Sequence, residues 1–210
     1  MKGSTPESWA FDLAGLTMAA EQLWVSSGSS TAHPILGTVT GVHGCFAPPL
    51  ILADLRLHVA LEVDGFRVDD HGGGGMGDAG LLYAGGRWMP HAIERQGTYH
   101  HLKEGRLLSF SVCSRLVPLS RQAGFLLSVE VRNRTAGTQS FTAIPLLEPG
   151  HPRVLPLSNW AFPRPRPGTA SAEPAGAGRW QTGEMEIHLQ TGPACLQLAA
   201  GGVGTFHFAV

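Results

Sequence analysis

Apolar side chains occupy every second position of LRLHVALEV, the first part of the segment LRLHVALEVDGFRV at residues 55–68. A period of two places successive side chains on opposite faces of an extended strand, so that one face is apolar. Asp64-Gly65 then supplies a two-residue hairpin turn. That turn would set Val63 opposite Phe66 and Leu61 opposite Val68, apolar against apolar. The segment therefore predicts a hairpin with one buried face.

The same alternation returns in LSFSVCS (108–114), GFLLSVEVRN (124–133), MEIHLQ (185–190) and TFHFAV (205–210). Glycine is 28 of 210 residues and charged residues are only 15%, against about 25% in typical soluble domains. This composition favours short strands and turns over helices. We expect roughly eleven to thirteen strands from the alternating segments. The predicted fold is all-β, a two-sheet antiparallel β-sandwich with at most one or two short helices, and a candidate helical turn begins at Thr5-Pro6-Glu7.

A length of 210 residues fits one domain, so residues 1–210 are predicted to form a single β-sandwich. The sequence ends in the apolar alternation GTFHFAV, whereas chain termini usually lie at the surface. We therefore expect the N-terminal part of a longer chain. Residues 148–178 are rich in proline and are predicted to form a long loop.

Bulk charge and hydropathy exclude some partners. The net charge is −1, which supplies no basic field for a nucleic acid backbone. No run approaches the roughly 20 apolar residues that span a bilayer, and the N-terminus lacks the apolar core of a signal peptide. The three cysteines lie far apart without a C-x-x-C pair, which favours reduced thiols. We expect no nucleic acid or membrane partner, and a cytoplasmic protein.

Reactive side chains concentrate in RWMPHAIERQGTYHHLKEG, residues 87–105. If TYHHL is a strand, His100 and His101 point to opposite faces and do not share a metal ion. The helical zinc pattern H-E-x-x-H and the nucleophile pattern G-x-S-x-G are both missing from the sequence. We therefore predict no catalytic residue, no metal site and no cofactor in this chain.

Aromatic and arginine side chains instead suggest a surface that binds a ligand or a partner. Aromatic rings stack on the apolar faces of sugar rings, and arginine is seldom buried without a partner. The arginines of the proline-rich loop are equally suited to docking on a neighbouring domain. The predicted carbohydrate- or partner-facing residues are Arg87, Trp88, Tyr99, His101, Trp160, Arg164 and Arg166.

Two long segments carry a family resemblance: LYAGGRWMPHAIERQGTYHHLKEGRLLSFSV and GFLLSVEVRNRTAGTQSFTAIPLLEPG. With their strand–Asn–turn–strand pattern in VEVRNRT, they resemble the N-terminal β-supersandwich domain of (α/α)6-barrel glycoside hydrolases and phosphorylases, a galactose-mutarotase-like sandwich. The resemblance implies that the catalytic acids lie on a helical barrel outside these residues. It also implies that the sandwich braces that C-terminal catalytic domain and lends a loop to its sugar pocket.

The sequence is consistent with three alternative functions. The first is a non-catalytic N-terminal domain of a carbohydrate-active enzyme, with a C-terminal catalytic domain and carbohydrate as partners. The second is a standalone mutarotase-like epimerase, which would need an acid–base pair drawn from His91, His101, Glu94 and Glu148 across one cleft. The third is a carbohydrate-binding module, which would need an aromatic platform.

Overall fold

A computed structural model describes residues 11–12, 25–27, 30–35, 37–47, 50–70, 80–148, 153–154, 178–182 and 185–210. These residues form sixteen β-strands, and none of them is helical. The first sheet contains β1 (Phe11–Asp12), β7 (Leu82–Met89), β8 (Ala92–Lys103), β9 (Arg106–Pro118), β10 (Phe125–Asn133), β13 (Gly178–Thr182), β14 (Met185–Thr191) and β16 (Val203–Ala209). The second contains β2 (Val25–Ser27), β3 (Ser30–Pro34), β4 (Val42–Ala47), β5 (Leu50–Val63), β6 (Phe66–Val68), β11 (Gln139–Glu148), β12 (Arg153–Val154) and β15 (Cys195–Leu198).

The two sheets are antiparallel and pack face to face as a sandwich, which confirms the predicted fold class. The strand order of the first sheet is β1-β7-β8-β9-β10-β16-β14-β13. The second runs β15-β11-β5-β4-β3-β2, and β6 and β12 also pair with β5. The long central strands β8, β9 and β10 therefore lie side by side, and they form the surface described in the next subsection.

The hairpin at residues 55–68 has the predicted register. Leu61 pairs with Val68 and Val63 with Phe66. Asp64 and Gly65 adopt positive φ angles of 50° and 87°, as a type I′ turn requires. The apolar residues of β5 from Leu55 to Val63 are buried, so the period of two identifies the core face correctly.

The core lies between the sheets and joins them through aromatic rings. Phe110 of β9 meets Phe141 of β11 edge-on, with ring centroids 5.4 Å apart and an interplanar angle of 83°. Both side chains are fully buried, and each contributes about 1.5–3 kcal/mol through burial. The inward residues of β10, predicted from alternation, are all buried: Phe125, Leu127, Val129 and Val131.

The structure explains why both middle positions of AGGRW, Gly85 and Gly86, are glycine. Gly85 lies at a β-bulge of β7 with φ of 108°, a conformation that side chains rarely adopt. A Cβ on Gly86 would collide with the backbone carbonyl of Glu94 on β8. Both glycines thus allow β7 to bend closely along its neighbour.

Two features differ from the sequence-based expectations. The described residues contain more strands than expected, because β1, β2 and β12 have only two or three residues and show no periodicity. Within the proline-rich segment, Arg153 and Val154 form β12 and pair with Ile51 and Leu50 of β5. The rest of that loop up to residue 177 lies outside the described residues, as does the candidate helical turn at residues 5–7.

Candidate functional site

The outer face of the first sheet presents aligned rows of polar side chains. Antiparallel register places Gln96 of β8 opposite Cys113 of β9, which in turn lies opposite Glu130 of β10. The next row joins Thr98, Ser111 and Arg132 in the same way. Because adjacent strands lie about 4.8 Å apart, each row brings three side chains within reach of one small ligand.

These rows form a concavity of about 280 Å³, here called the outer groove. This volume lies near the lower end of ligand pockets, which span about 300–1,000 Å³. The outer groove therefore suits a small ligand better than a long chain. Its polar lining consists of Gln96, Thr98, Ser111, Glu130, Arg132 and Arg134, with Cys113 between them.

Asn133, between the groove residues Arg132 and Arg134, anchors the turn that follows β10. Its buried side-chain amide donates hydrogen bonds to the carbonyl oxygens of Gly137, Leu198 and Ala199 at 2.7, 2.9 and 3.1 Å. Its Oδ1 accepts from the backbone N–H and the hydroxyl of Thr135 at 2.9 and 2.8 Å. A fully satisfied buried amide holds the backbone on both sides of it rigid. This gives a physical reason for the Asn and Thr of VEVRNRT.

Charge is unevenly distributed over the outer face. Arg115 pairs with Glu94 at 3.0 Å. Arg132 and Arg134 have no carboxylate within 4 Å among the residues that the structure describes. Burial raises the pKa of the Cys113 thiol, and the carboxylates of Glu94 and Glu130 raise it further. Between these charged groups the thiol is therefore neutral at physiological pH.

The residues predicted to face a ligand do not share one surface. Arg87 is exposed on the outer face, and its register partner on β8 is Glu94. Trp88 is partly buried and packs against the core. Tyr99 is instead a core residue: it is 3% exposed and stacks on Phe110 at 5.4 Å, which leaves its ring no face for a sugar. Trp160, Arg164 and Arg166 lie outside the described residues.

His101 lies beside Tyr99 on the inward side of β8, with ring centroids 4.7 Å apart, and is only partly exposed. His100 is exposed on the opposite face, where its Nδ1 lies 2.9 Å from the Ser109 hydroxyl. The two adjacent histidines therefore point to opposite faces, as predicted. Within the described part of the chain, no three His, Cys, Asp or Glu side chains are grouped so as to hold a metal ion.

The acid–base suspects of an epimerase are dispersed. His91 is exposed in the turn before β8, while His101 lies near the far end of that strand, about 30 Å away at the rise of an extended strand. Glu94 is held by Arg115 on the outer face. Glu148 ends β11 in the other sheet, opposite Arg56. Among these four described residues, no histidine forms an ion pair with a glutamate.

A buried polar cluster that no sequence motif indicates lies between the sheets. Arg95 is fully buried, and its Nη1 donates to the carbonyl oxygens of Gly41 and Ile35 at 2.5 and 3.3 Å. Burial lowers the pKa of Arg95 to about 10, while Asp70 and Tyr83 act in the opposite direction. The signal was present in the sequence, because Arg95 occupies an inward position between Ile93 and Gly97.

Asp70 is the carboxylate of this cluster. It accepts hydrogen bonds from the backbone N–H groups of Val39 and Thr40 at 3.0 and 2.6 Å. It also accepts the hydroxyl of Thr40 at 2.7 Å. Together, Arg95 and Asp70 attach the segment between β3 and β4 to the interior, so this cluster stabilises the fold.

Two half-buried histidines, His33 of β3 and His58 of β5, lie on the outer face of the second sheet. Burial lowers the pKa of His33, and the neighbouring His43 lowers it further. Burial also lowers the pKa of His58, on which Asp70 and Arg95 act in opposite directions. Both histidines therefore favour the neutral form in the folded protein.

No protein family model, no curated protein and no solved structure matches this chain. In the part of the chain that the structure describes, no helix has the length and hydropathy needed to cross a membrane.

Proposed function

We propose that this chain is a non-catalytic β-sandwich domain of a carbohydrate-active enzyme, which braces a catalytic domain and contacts its sugar through the outer groove. The observation that supports this proposal is the convergence of six hydrogen-bonding side chains on one small concavity. The family resemblance suggests the class of enzyme, and the groove lining suggests that the ligand is bound through hydrogen bonds.

The groove lining suits a ligand rich in hydroxyl groups. A sugar hydroxyl both donates and accepts hydrogen bonds, so its site needs both kinds of partner. Gln96 offers an amide with donor and acceptor atoms, and Thr98 and Ser111 offer hydroxyls. Glu130 accepts only, and Arg132 donates only. Such a mixed set of donors and acceptors fixes the orientation of a polar ligand and favours it over an apolar one.

Exposed leucines on the same face support the bracing role. Leu102 and Leu107 pair across the β8–β9 hairpin and are 69% and 46% exposed. Leu82 of β7, which lies opposite Thr98 of β8, is also exposed. The Leu102–Leu107 pair is a small exposed apolar patch on the same face as the groove, where a neighbouring domain could pack. A C-terminal catalytic domain of the same polypeptide is the proposed partner, and a cytoplasmic location remains a prediction.

The rival functions have less support. A mutarotase-like epimerase needs an acid and a base across one cleft, and its suspected residues are dispersed. A carbohydrate-binding module needs an aromatic platform, whereas no described residue that lines the outer groove is aromatic. Trp88 packs against the core and Tyr99 lies within it, so neither supplies a platform.

Calorimetric titration of the 210-residue protein with a panel of mono- and oligosaccharides tests the sugar contact. We expect weak binding of at least one sugar, with a dissociation constant of about 1 mM for a small open site, which corresponds to about −4 kcal/mol. Gln96→Ala should weaken that binding, because it removes groove hydrogen bonds. Glu62→Gln, an exposed change on the second sheet, should leave it unchanged. A complete lack of binding across the panel would contradict the sugar contact.

The coding sequence that follows Val210 tests the bracing role. A reading frame that continues into repeated amphipathic helices would support it. A frame that stops at Val210 would remove the proposed partner domain.

A further inference from the structure

We propose that the ligand of the outer groove carries one anionic group, a carboxylate or a phosphate, on a ring bearing hydroxyl groups. This inference rests on the proposed function, since it names the ligand class of the same groove. The source of the anionic group, a sugar acid or a sugar phosphate, is left to the experiment.

The groove carries an excess of positive charge. Its lining contains one carboxylate, Glu130, and two guanidinium groups, Arg132 and Arg134. Three other described arginines form ion pairs: Arg115 lies 3.0 Å from Glu94, Arg67 lies 2.7 Å from Asp69 and Arg106 lies 3.9 Å from Asp64. Arg56, Arg87 and Arg121 form none with a described residue, but none of these three lines the outer groove. The two groove arginines have no such neighbour within 4 Å among the described residues. An anionic ligand would supply the missing counter-charge.

The backbone places both arginines in register. Arg132 lies within β10 and pairs with Ser111 on one side and with Val203 on the other. The amide of Arg134 donates to the carbonyl oxygen of Ser109 at 2.9 Å. Asn133 between them is fully buried. Residues two apart on a strand are separated by about 6.6 Å, so two guanidinium groups can hold one carboxylate or phosphate between them.

The neutral side of the groove lies directly opposite. Thr98 is two strands from Arg132 along the same row, about 9.6 Å between backbones. Gln96 lies in the next row on the same strand. A ring whose anionic group meets the arginines would therefore direct its hydroxyls toward Thr98, Ser111 and Gln96.

The test compares three ligands built on the same pyranose ring by calorimetry on the 210-residue protein: glucose, glucuronate and glucose 1-phosphate. We expect at least one anionic sugar to bind about tenfold more tightly than glucose, as one charge-assisted contact allows. Arg132→Gln and Arg134→Gln should each reduce that preference toward unity. Arg121→Gln, the same change in the exposed β9–β10 loop, should leave it intact. Circular dichroism of each variant checks that the fold is retained.

Cys113 reports whether the ligand occupies the groove. In a Cys195→Ser background, Cys113 is the more accessible of the two remaining thiols, because Cys45 is buried. The anionic sugar that binds should slow alkylation of Cys113, whereas glucose at the same concentration should slow it less.

The outcomes separate the two proposals. Equal affinity for glucose and both anionic sugars overturns the anionic preference and leaves the sugar contact standing. If acetate or inorganic phosphate binds as tightly as the anionic sugars, the groove recognises an anion without the ring, and the inference fails. If neither neutral nor anionic sugars bind, both proposals fail. A preference for glucuronate over glucose 1-phosphate, or the reverse, supports the inference and identifies the source of the charge.

Discussion

Replacing Asp70 by alanine should destabilise the fold strongly. The carboxylate is 5% exposed and accepts three hydrogen bonds, from Val39 N–H, Thr40 N–H and the Thr40 hydroxyl. Its removal leaves buried donors without an acceptor and leaves the fully buried Arg95 without the carboxylate that favours its charge. Each buried donor left without an acceptor costs about 1–3 kcal/mol, so the expected loss is a large part of the roughly 5–15 kcal/mol stability of a domain.

Urea unfolding at pH 7, followed by tryptophan fluorescence, measures this free energy. Asp69→Ala is the matched control, because Asp69 pairs with Arg67 at 2.7 Å on the surface, where such a pair contributes about 0–1 kcal/mol. Combining Asp70→Asn with Arg95→Met should cost less than the sum of the two single changes, by about 1–3 kcal/mol. If Asp70→Ala costs no more than Asp69→Ala, the buried cluster does not stabilise the fold as described.

Three further predictions concern other parts of the molecule. Because burial lowers the pKa of His33 and His58 below 6.5, the unfolded chain binds more protons, so the urea midpoint should be highest above about pH 6.5 and fall as the pH drops below it. A flat profile between pH 5 and 7 would contradict this assignment, and His33→Gln with His58→Gln should flatten it. Hydrogen bonding to Ser140 and Thr142 lowers the pKa of Cys195, whereas burial raises that of Cys45 to about 11, so Cys195 should react first with a thiol reagent and Cys45 only on unfolding. Asn133→Ala should cost about 2–4 kcal/mol in urea unfolding because five hydrogen bonds are lost, and a cost below about 1 kcal/mol would show that the turn does not depend on this amide.

The sequence predicts most of the fold because strand periodicity is a local property. The alternation in β5, β9, β10 and β16 identifies core residues correctly, and Asp64-Gly65 fixes the register of its hairpin. The short strands β1, β2 and β12 are not predicted in this way, since two or three residues contain no full period and no hairpin turn marks them.

The candidate site is harder to predict because it depends on which strands become neighbours. Gln96, Cys113 and Glu130 come from three different strands and share a row only through register. Trp88 and Tyr99 were expected at a surface from their residue types. Alternation places Tyr99 on the same face as Gly97 and Ile93, an inward face, and this geometric signal outweighs composition. The same alternation also predicts that Arg95 lies on this inward face.

Backbone chemical-shift mapping of the 210-residue protein with glucose and glucuronate tests most directly whether the outer groove is the ligand site. The amide signals that move should cluster on β8, β9 and β10 around Gln96, Cys113 and Arg132. In Arg132→Gln, the larger shifts caused by glucuronate should shrink to the size of those caused by glucose. Shifts confined to the second sheet, or no shift with either sugar at millimolar concentration, would contradict a ligand site in this groove.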